Sequence, residues 1–205
     1  MQSNTARKKL LFIGTGGTIA SELSEGALSP ALGAEQLLRL VPDVSRMCDA
    51  DAVQLFELDS TDIMPEHWIR IADEIIRRYD DYDGFVIAHG TDTMAYTASA
   101  LSYLIQNSRK PIVLTGAQKP IGFETTDSKQ NLSDSFLCAA SGMAGVLVVF
   151  GGQVLLGTRA RKTRSKSFSA FSSPNYPPLA TVQNGRMALY FDPTEGETHF
   201  CRSLD

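Results

Sequence analysis

GFVIAHGTDTMAYTASALSYLIQN, residues 84–107, decides how the rest of this chain is read. Apolar residues run unbroken to Ala88, then give way to His89, Gly90, Thr91, Asp92 and Thr93. From there Met94, Ala98, Leu101 and Ile105 recur at helical spacing. An apolar run without polar alternation suits a strand covered on both faces, as in a parallel sheet. The stretch therefore predicts strand, polar turn, helix. Gly90 and Asp92 would suit any turn, but a plain turn does not explain two threonines at the end of a strand.

The same pattern extends in both directions. KKLLFIG (8–14), AVQLFEL (52–58), PIVLTG (111–116) and AGVLVVF (144–150) are further strands of this type. Residues 65–81 place Trp68, Ala72, Ile75, Ile76 and Tyr79 on one helical stripe, and residues 127–141 do likewise with Leu132, Phe136 and Ala139 or Ala140. Alternating strands and helices imply an α/β doubly wound, mostly parallel sheet with flanking helices and right-handed crossovers. After Phe150, GGQVLLGTR (151–159) and ATVQNGRMALYF (180–191) read as a β-hairpin extension, the second turning on Asn184-Gly185. One domain is expected over 1–205, with 190–205 as the start of a linker.

Composition narrows the function classes. A chain of 205 residues with 43% hydrophobic and 20% charged residues is that of an ordinary globular domain. A net charge of −4 argues against a nucleic-acid surface. The basic stretch GTRARKTRSK (157–166) reads first as a solvated loop. Cys48, Cys138 and Cys201 are too few and too scattered for a metal set or a disulfide framework. The apolar run at 10–13 is too short for a secretory signal, and no stretch has membrane-spanning length. A cytoplasmic protein is expected, with no membrane or nucleic-acid partner.

In an open parallel sheet, ligands bind beyond the carboxyl ends of the strands. Four polar loops fall there: GTGGT (14–18), DSTD (59–62), HGTD (89–92) and TGAQ (115–118). GTGGT lacks the Gly-Lys-Ser/Thr of a phosphate-binding Walker loop, and a dinucleotide fingerprint counted from Gly14 would need glycine where Ile19 stands. Another phosphate cradle, or merely a tight strand exit, stays open at this point. No Ser-His-Asp set exists: His67 and His199 read as surface residues, and His89 as a core histidine.

TGGTIAS (15–21) and DGFVIAHGTDTMAYTASALSY (83–103) resemble the bacterial-type L-asparaginases, closest to the cytoplasmic type I branch. KPIVLTGAQKPI (110–121), TDSKQNLSDS (126–135) and GTRARKTRSKSFSAFSSPNYPP (157–178) extend the resemblance, which covers the chain from about Lys9 onward and is to the N-terminal domain of the family. It implies hydrolysis of L-asparagine to aspartate and ammonia through a threonine acyl-enzyme, with no cofactor and no metal. By position it makes Thr18 the nucleophile and Thr91, Asp92 and Lys162 a proton-handling group. Asp59, Ser60 and Thr61 line the pocket for the substrate's amino and carboxylate ends, with Gly90, Ala117 and Gln118 at its wall. A threonine hydroxyl needs a base. A lysine amine, ordinarily protonated below pH ~10.4, becomes one through burial or nearby positive charge, for which Arg159, Arg161 and Arg164 are candidates. Backbone N–H groups near Gly17 and Thr91 are candidate oxyanion donors.

Two departures from the family stand out. Relatives carry a lid tyrosine where this chain has Leu28, with Gly26 and Gly33 as lid glycines. The family's C-terminal domain, which completes each site in a dimer, would begin where this chain ends. The expectation is turnover that is weak or conditional on a homodimer or a separate C-terminal chain. Two further readings stay open: a non-catalytic assembly half, and an amidotransferase subunit supplying ammonia for tRNA-linked glutamate.

Overall fold

The computed structural model describes residues 7–24, 27–30, 32–191 and 197–201, without the side chains of 22–30. In chain order the elements are β1 (Lys9–Gly16), β2 (Ser21–Ser24), β3 (Ala27–Pro30), α1 (Ala34–Arg39), α2 (Val44–Met47), β4 (Asp49–Leu58), α3 (Pro65–Arg77) and β5 (Gly84–Ala88). There follow α4 (Met94–Leu104), β6 (Ile105–Gln106), β7 (Pro111–Thr115), α5 (Ser128–Ser141), β8 (Gly145–Phe150) and β9 (Gln153–Leu156). The last are β10 (Arg161–Lys162), β11 (Phe171–Ser172), β12 (Ala180–Gln183), β13 (Arg186–Leu189) and β14 (His199–Phe200).

An eight-stranded sheet runs β13-β12-β9-β8-β7-β5-β1-β4. The five strands from β8 to β4 are parallel, and β9, β12 and β13 add on antiparallel. Alternate residues of each strand face opposite cores. Leu10, Phe12, Val86, Val113 and Leu147 meet Leu37 of α1, Val44 of α2 and Leu132 and Phe136 of α5. Leu11, Ile13, Phe85, Ile112 and Val148 meet Ile71 and Ile75 of α3 and Met94, Ala98 and Leu101 of α4. The five-residue runs of β5 and β7 are buried throughout, as their composition demands.

The strand order puts the topological switch between β1 and β5: from β1 the chain steps outward to β4, then returns past β1 to β5. The loops after these two strands, GTGGT and HGTD, flank the crevice that such a switch opens.

The crossovers are not all of one hand. The steps β4→β5, β5→β7 and β7→β8 run the same way along the sheet, yet α3 and α4 pack on one face and α5 on the other. The β7–α5–β8 connection therefore has the opposite hand to β5–α4–β7, against the expectation of uniform right-handedness. The long loop 116–127 carries the chain to the other face. Asp127 and Asn131 pin it there through bonds to the Gln118 and Lys119 amides and the Gly116 carbonyl.

Other differences from the sequence reading are local. The second strand begins at Asp49 rather than Ala52. The turn of the first hairpin is Gly151-Gly152, at positive φ of 58° and 76°, so its arms are β8 and β9 rather than two halves of 151–159. His199 and Phe200 pair with Gln106 and Ile105, and the Phe200 ring meets Tyr79 edge-on. Residues 192–196 and 202–205 of the expected linker lie outside the described residues.

Candidate active site

Glycines set how closely the loops approach. Gly16 and Gly17 have φ of 100° and 81°, so the chain turns sharply as it leaves β1. The Gly17 N–H donates to the Leu58 carbonyl at 3.1 Å, tying the first loop to the end of β4. A Cβ on Gly17 would lie 2.5 Å from both N and Cα of Gly90. A Cβ on Gly90 would lie 2.6 Å from that of Ser60, and one on Gly116 would lie 2.3 Å from the His89 carbonyl oxygen. Four loops distant in sequence are thus in backbone contact. Thr18 and Thr91 each follow one of the two touching glycines.

Lys162 reaches this point from the far end of the chain. It pairs with Phe171 across the β10–β11 ladder, and Phe171 is buried with its ring 5.0 Å from that of Phe150. With its backbone so anchored, Lys162 Nζ donates to Thr91 Oγ1 at 2.7 Å and to Asp92 Oδ1 at 2.7 Å. The Asp92 side chain is 61% exposed, so this ion pair stabilises the fold by no more than about 1 kcal/mol. Its effect is orientation. Because the Lys162 nitrogen donates to Thr91 Oγ1, the hydroxyl proton is left free to point elsewhere. Arg159 and Arg161 line the same pocket as Lys162 and Asp92, with the Arg159 guanidinium over the Tyr176 ring, while Arg164 donates to the Ser169 carbonyl.

Thr18 opens a single 3-10 turn, Thr18–Ala20, whose Ile19 and Ala20 are buried while Thr18 is half-buried. Among the described residues its hydroxyl has no hydrogen-bond partner, and none links it directly to Thr91 or Lys162. Thr15, its neighbour in the motif, is structural: buried, it donates to the Ala88 carbonyl at 2.8 Å and fastens β1 to β5.

Asp59 caps the next turn, accepting from the Thr61 N–H and hydroxyl, each at 2.8 Å. Both residues are exposed, whereas Ser60 is buried between loops. Ser60 accepts from the Asp92 N–H at its hydroxyl, 3.3 Å, and from the Thr93 hydroxyl at its carbonyl, 2.6 Å. Ala117 is buried. Gln118 hangs its N–H on Asp127, and among the described residues its buried Nε2 has no partner. A buried amide donor without a partner is uncommon and suits a position waiting for an acceptor.

The supporting residues Thr93, in HGTDT, and Asp127 and Asn131, in TDSKQNLSDS, lie in stretches that carry the resemblance, but their supporting contacts appear only in the structure. The three histidines are accounted for. His67 accepts from the Met64 N–H at the start of α3, His199 is exposed, and His89 is fully buried. Burial pushes His89 down to about 4, so it is neutral at pH 7. Burial likewise pushes the Cys48 and Cys138 thiols up to about 11 and about 12, so neither is a thiolate nucleophile. No group of three metal-ligating side chains exists among the described residues. The lid position Leu28 lies in β3 with its side chain outside the described set, as is Gly26; Gly33 stands just before α1.

The family model described as "Asparaginase, N-terminal" matches residues 9–195. An L-asparaginase of Thermococcus kodakarensis is 41% identical over 201 residues, covering 96% of this chain and 61% of that protein. The solved structure of the thermostable L-asparaginase from Thermococcus kodakarensis superposes with a TM-score of 0.89 at 40% identity, covering 96% of this chain and 61% of that one. A glutamyl-tRNA(Gln) amidotransferase component from Pyrococcus abyssi is 40% identical over 184 residues, covering 85% of this chain and 42% of that protein. The chain thus spans less than two thirds of the length of each of these relatives.

Proposed function

The chain belongs to the asparaginase family, and from that premise we propose that it hydrolyses the side-chain amide of L-asparagine to give L-aspartate and ammonia. One observation carries the reading. Lys162 Nζ holds Thr91 Oγ1 and Asp92 Oδ1, each at 2.7 Å, in a loop whose Gly90 is in contact with the Gly17 that precedes Thr18.

In this reading Thr18 Oγ attacks the side-chain carbonyl carbon. Its proton passes by way of Thr91 to Lys162 acting as the neutral amine, which gives it up to the leaving nitrogen; Asp92 keeps the amine in place and faces the substrate ammonium, and N–H groups near Gly17 and Thr91 receive the oxyanion. Each such donor is worth about 3 kcal/mol in the transition state. The C–N bond then breaks, the nitrogen leaves protonated as ammonia, and water hydrolyses the aspartyl ester to regenerate the Thr18 hydroxyl. Asp59, Ser60 and Thr61 hold the amino and carboxylate ends, with Gly90, Ala117 and Gln118 along the wall.

We place the protein in the cytoplasm, where its thiols stay reduced, and pair it with a second copy for full turnover. Among the described residues no helix is long and apolar enough to cross a membrane. The test is ammonia release from asparagine by the parent and by Thr18→Ala. Activity in the parent and its loss in the variant support the reading, and full activity in the variant removes the nucleophile.

A second reading rests on the 40% identity to the amidotransferase component: the same hydrolysis supplies ammonia to a partner acting on tRNA-linked glutamate. Ammonia release that rises only on adding such a partner would favour it.

A further inference from the structure

We propose that Trp68, Thr97 and His89 form a one-way hydrogen-bond relay that fixes the Gly90–Thr91 peptide and turns the Thr91 N–H away from the helix layer, towards the mouth of the crevice. The proposal rests on the asparaginase reading for its catalytic meaning, but the relay itself follows from three contacts. Trp68 Nε1 donates to Thr97 Oγ1 at 3.0 Å, Thr97 Oγ1 meets His89 Nε2 at 2.9 Å, and His89 Nδ1 meets the Gly90 carbonyl oxygen at 2.7 Å.

The directions can be read from chemistry. An indole nitrogen only donates and a carbonyl oxygen only accepts. Nδ1 must therefore carry the proton, Nε2 of the neutral ring must accept, and the Thr97 hydroxyl, having accepted from Trp68, donates its single proton to Nε2. With the ring neutral, no other arrangement satisfies all three contacts. His89 and Thr97 are fully buried, so water cannot substitute for either partner.

The consequence falls on the next peptide. No described peptide bond is cis, and in a trans peptide the C=O and N–H point to opposite sides. Drawing the Gly90 carbonyl towards His89, Thr97 of α4 and Trp68 of α3 sends the Thr91 N–H the other way. Among the described residues that N–H has no hydrogen-bond partner. The same loop carries the Thr91 hydroxyl to Lys162, and Gly90 cannot swing aside because Gly17 and Ser60 wedge it. Trp68, Thr97 and His89 touch no substrate in this scheme: they are positioning residues.

The experiment compares the full chain with Thr97→Val, Thr97→Ser and Trp68→Phe, using ¹⁵N NMR and ammonia-release kinetics. The His89 ring should show its proton on Nδ1 from pH 6 to 8, and a proton on Nε2 overturns the relay. The Thr91 amide resonance should move in Thr97→Val and return in Thr97→Ser. An amide that stays put in Thr97→Val overturns the positioning whether or not the chain turns over asparagine. Where it does, Thr97→Val and Trp68→Phe should lower kcat about tenfold with KM within twofold, and Thr97→Ser should recover kcat to within about threefold. A packing role alone predicts lower stability with kcat unchanged below the melting range. A parent inactive towards asparagine, with the NMR results as expected, would remove the asparaginase reading and leave the relay standing.

Discussion

Gly17 and Gly90, far apart in sequence, touch backbone to backbone, so that a Cβ on Gly17 would fall 2.5 Å from both N and Cα of Gly90. This contact brings Thr18 and Thr91 to one crevice. It also separates the demands of sterics from those of conformation. Gly17 has φ of 81°, and Gly142, the C-cap of α5, has φ of 78° with nothing within 4 Å of its Cβ position. Alanine at Gly142 costs about 1 kcal/mol for the left-handed backbone. Gly17, with ψ of 175°, holds a conformation that essentially only glycine adopts and that costs alanine about 1–3 kcal/mol. Only Gly17→Ala must also push the first loop off the third. We expect Gly17→Ala to lose more stability than Gly142→Ala, by about 1–3 kcal/mol for the overpacked backbone, and it alone to lose ammonia release, by at least ~100-fold in line with an Å-scale misplacement. Equal activity in the two would show that the contact does not position the site.

Lys162 offers a sharper contrast between activity and stability. Its bond to exposed Asp92 is an ion pair of small net worth, about 1 kcal/mol or less. In the proposed mechanism Lys162 is the general base, a role worth about 10²–10⁴-fold in rate. Lys162→Met should therefore cut kcat by about that range while the urea midpoint hardly moves. A variant that keeps its rate, or one that loses rate only by unfolding, would remove Lys162 from the path.

How far the sequence reveals this arrangement depends on the range of each interaction. The apolar runs of β1, β5, β7 and β8 are legible because burial on both faces leaves no polar alternation, and Met94, Ala98 and Leu101 are legible because one helix face is core. The position of polar loops at strand ends follows from the same pattern. The hand of the β7–α5–β8 crossover does not, since the residues that enforce it, Asp127 and Asn131, act through hydrogen bonds to backbone groups 8 to 20 residues away. Short α1 and α2 and the β2–β3 hairpin fall below the length at which periodicity speaks. His89 shows the same limit: its type suggested a core histidine, but its partners, Thr97 on α4 and through it Trp68 on α3, appear only in three dimensions.

Asp127 supplies the third prediction. Its carboxylate accepts from the Gln118 N–H at 3.0 Å, the Lys119 N–H at 3.1 Å and Asn131 Nδ2 at 3.2 Å. Removing it leaves these donors near a buried site without partners, at about 1–3 kcal/mol for such a group. Asp127→Ala should lose about 2–4 kcal/mol in urea unfolding, with Asp127→Asn losing less because an amide oxygen still accepts. Because Gln118 and Ala117 ride on this loop, KM for asparagine should rise in Asp127→Asn more than kcat falls. A loss of stability under 1 kcal/mol in Asp127→Ala would mean that the loop is held by something else.

Asp134 on α5 gives a pH dependence whose sign can be fixed in advance. The residue is 2% exposed, its Oδ1 accepts from Gln130 Nε2 at 2.7 Å, and burial pushes its carboxyl up to about 6. The unfolded value is about 3.9. Between these values the folded state binds more protons than the unfolded one, so stability falls as pH rises through about 4 to 6 and then levels off. His89 acts in the opposite sense: its folded value near 4 lies below the unfolded ~6.5, so its contribution is present above about 6.5 and is lost as pH falls. The two overlap in the parent's profile, and the difference between parent and Asp134→Asn removes His89 and every other group. Asparagine keeps an acceptor for Gln130 without a charge to bury. The variant should match the parent near pH 4 and exceed it by about 1–3 kcal/mol at pH 7–8, with the gain opening between about pH 4 and 6 in urea unfolding at fixed salt. A gain independent of pH would trace to packing rather than to ionisation, and a loss at pH 7 would mean that the charged carboxylate has a partner which offsets its burial.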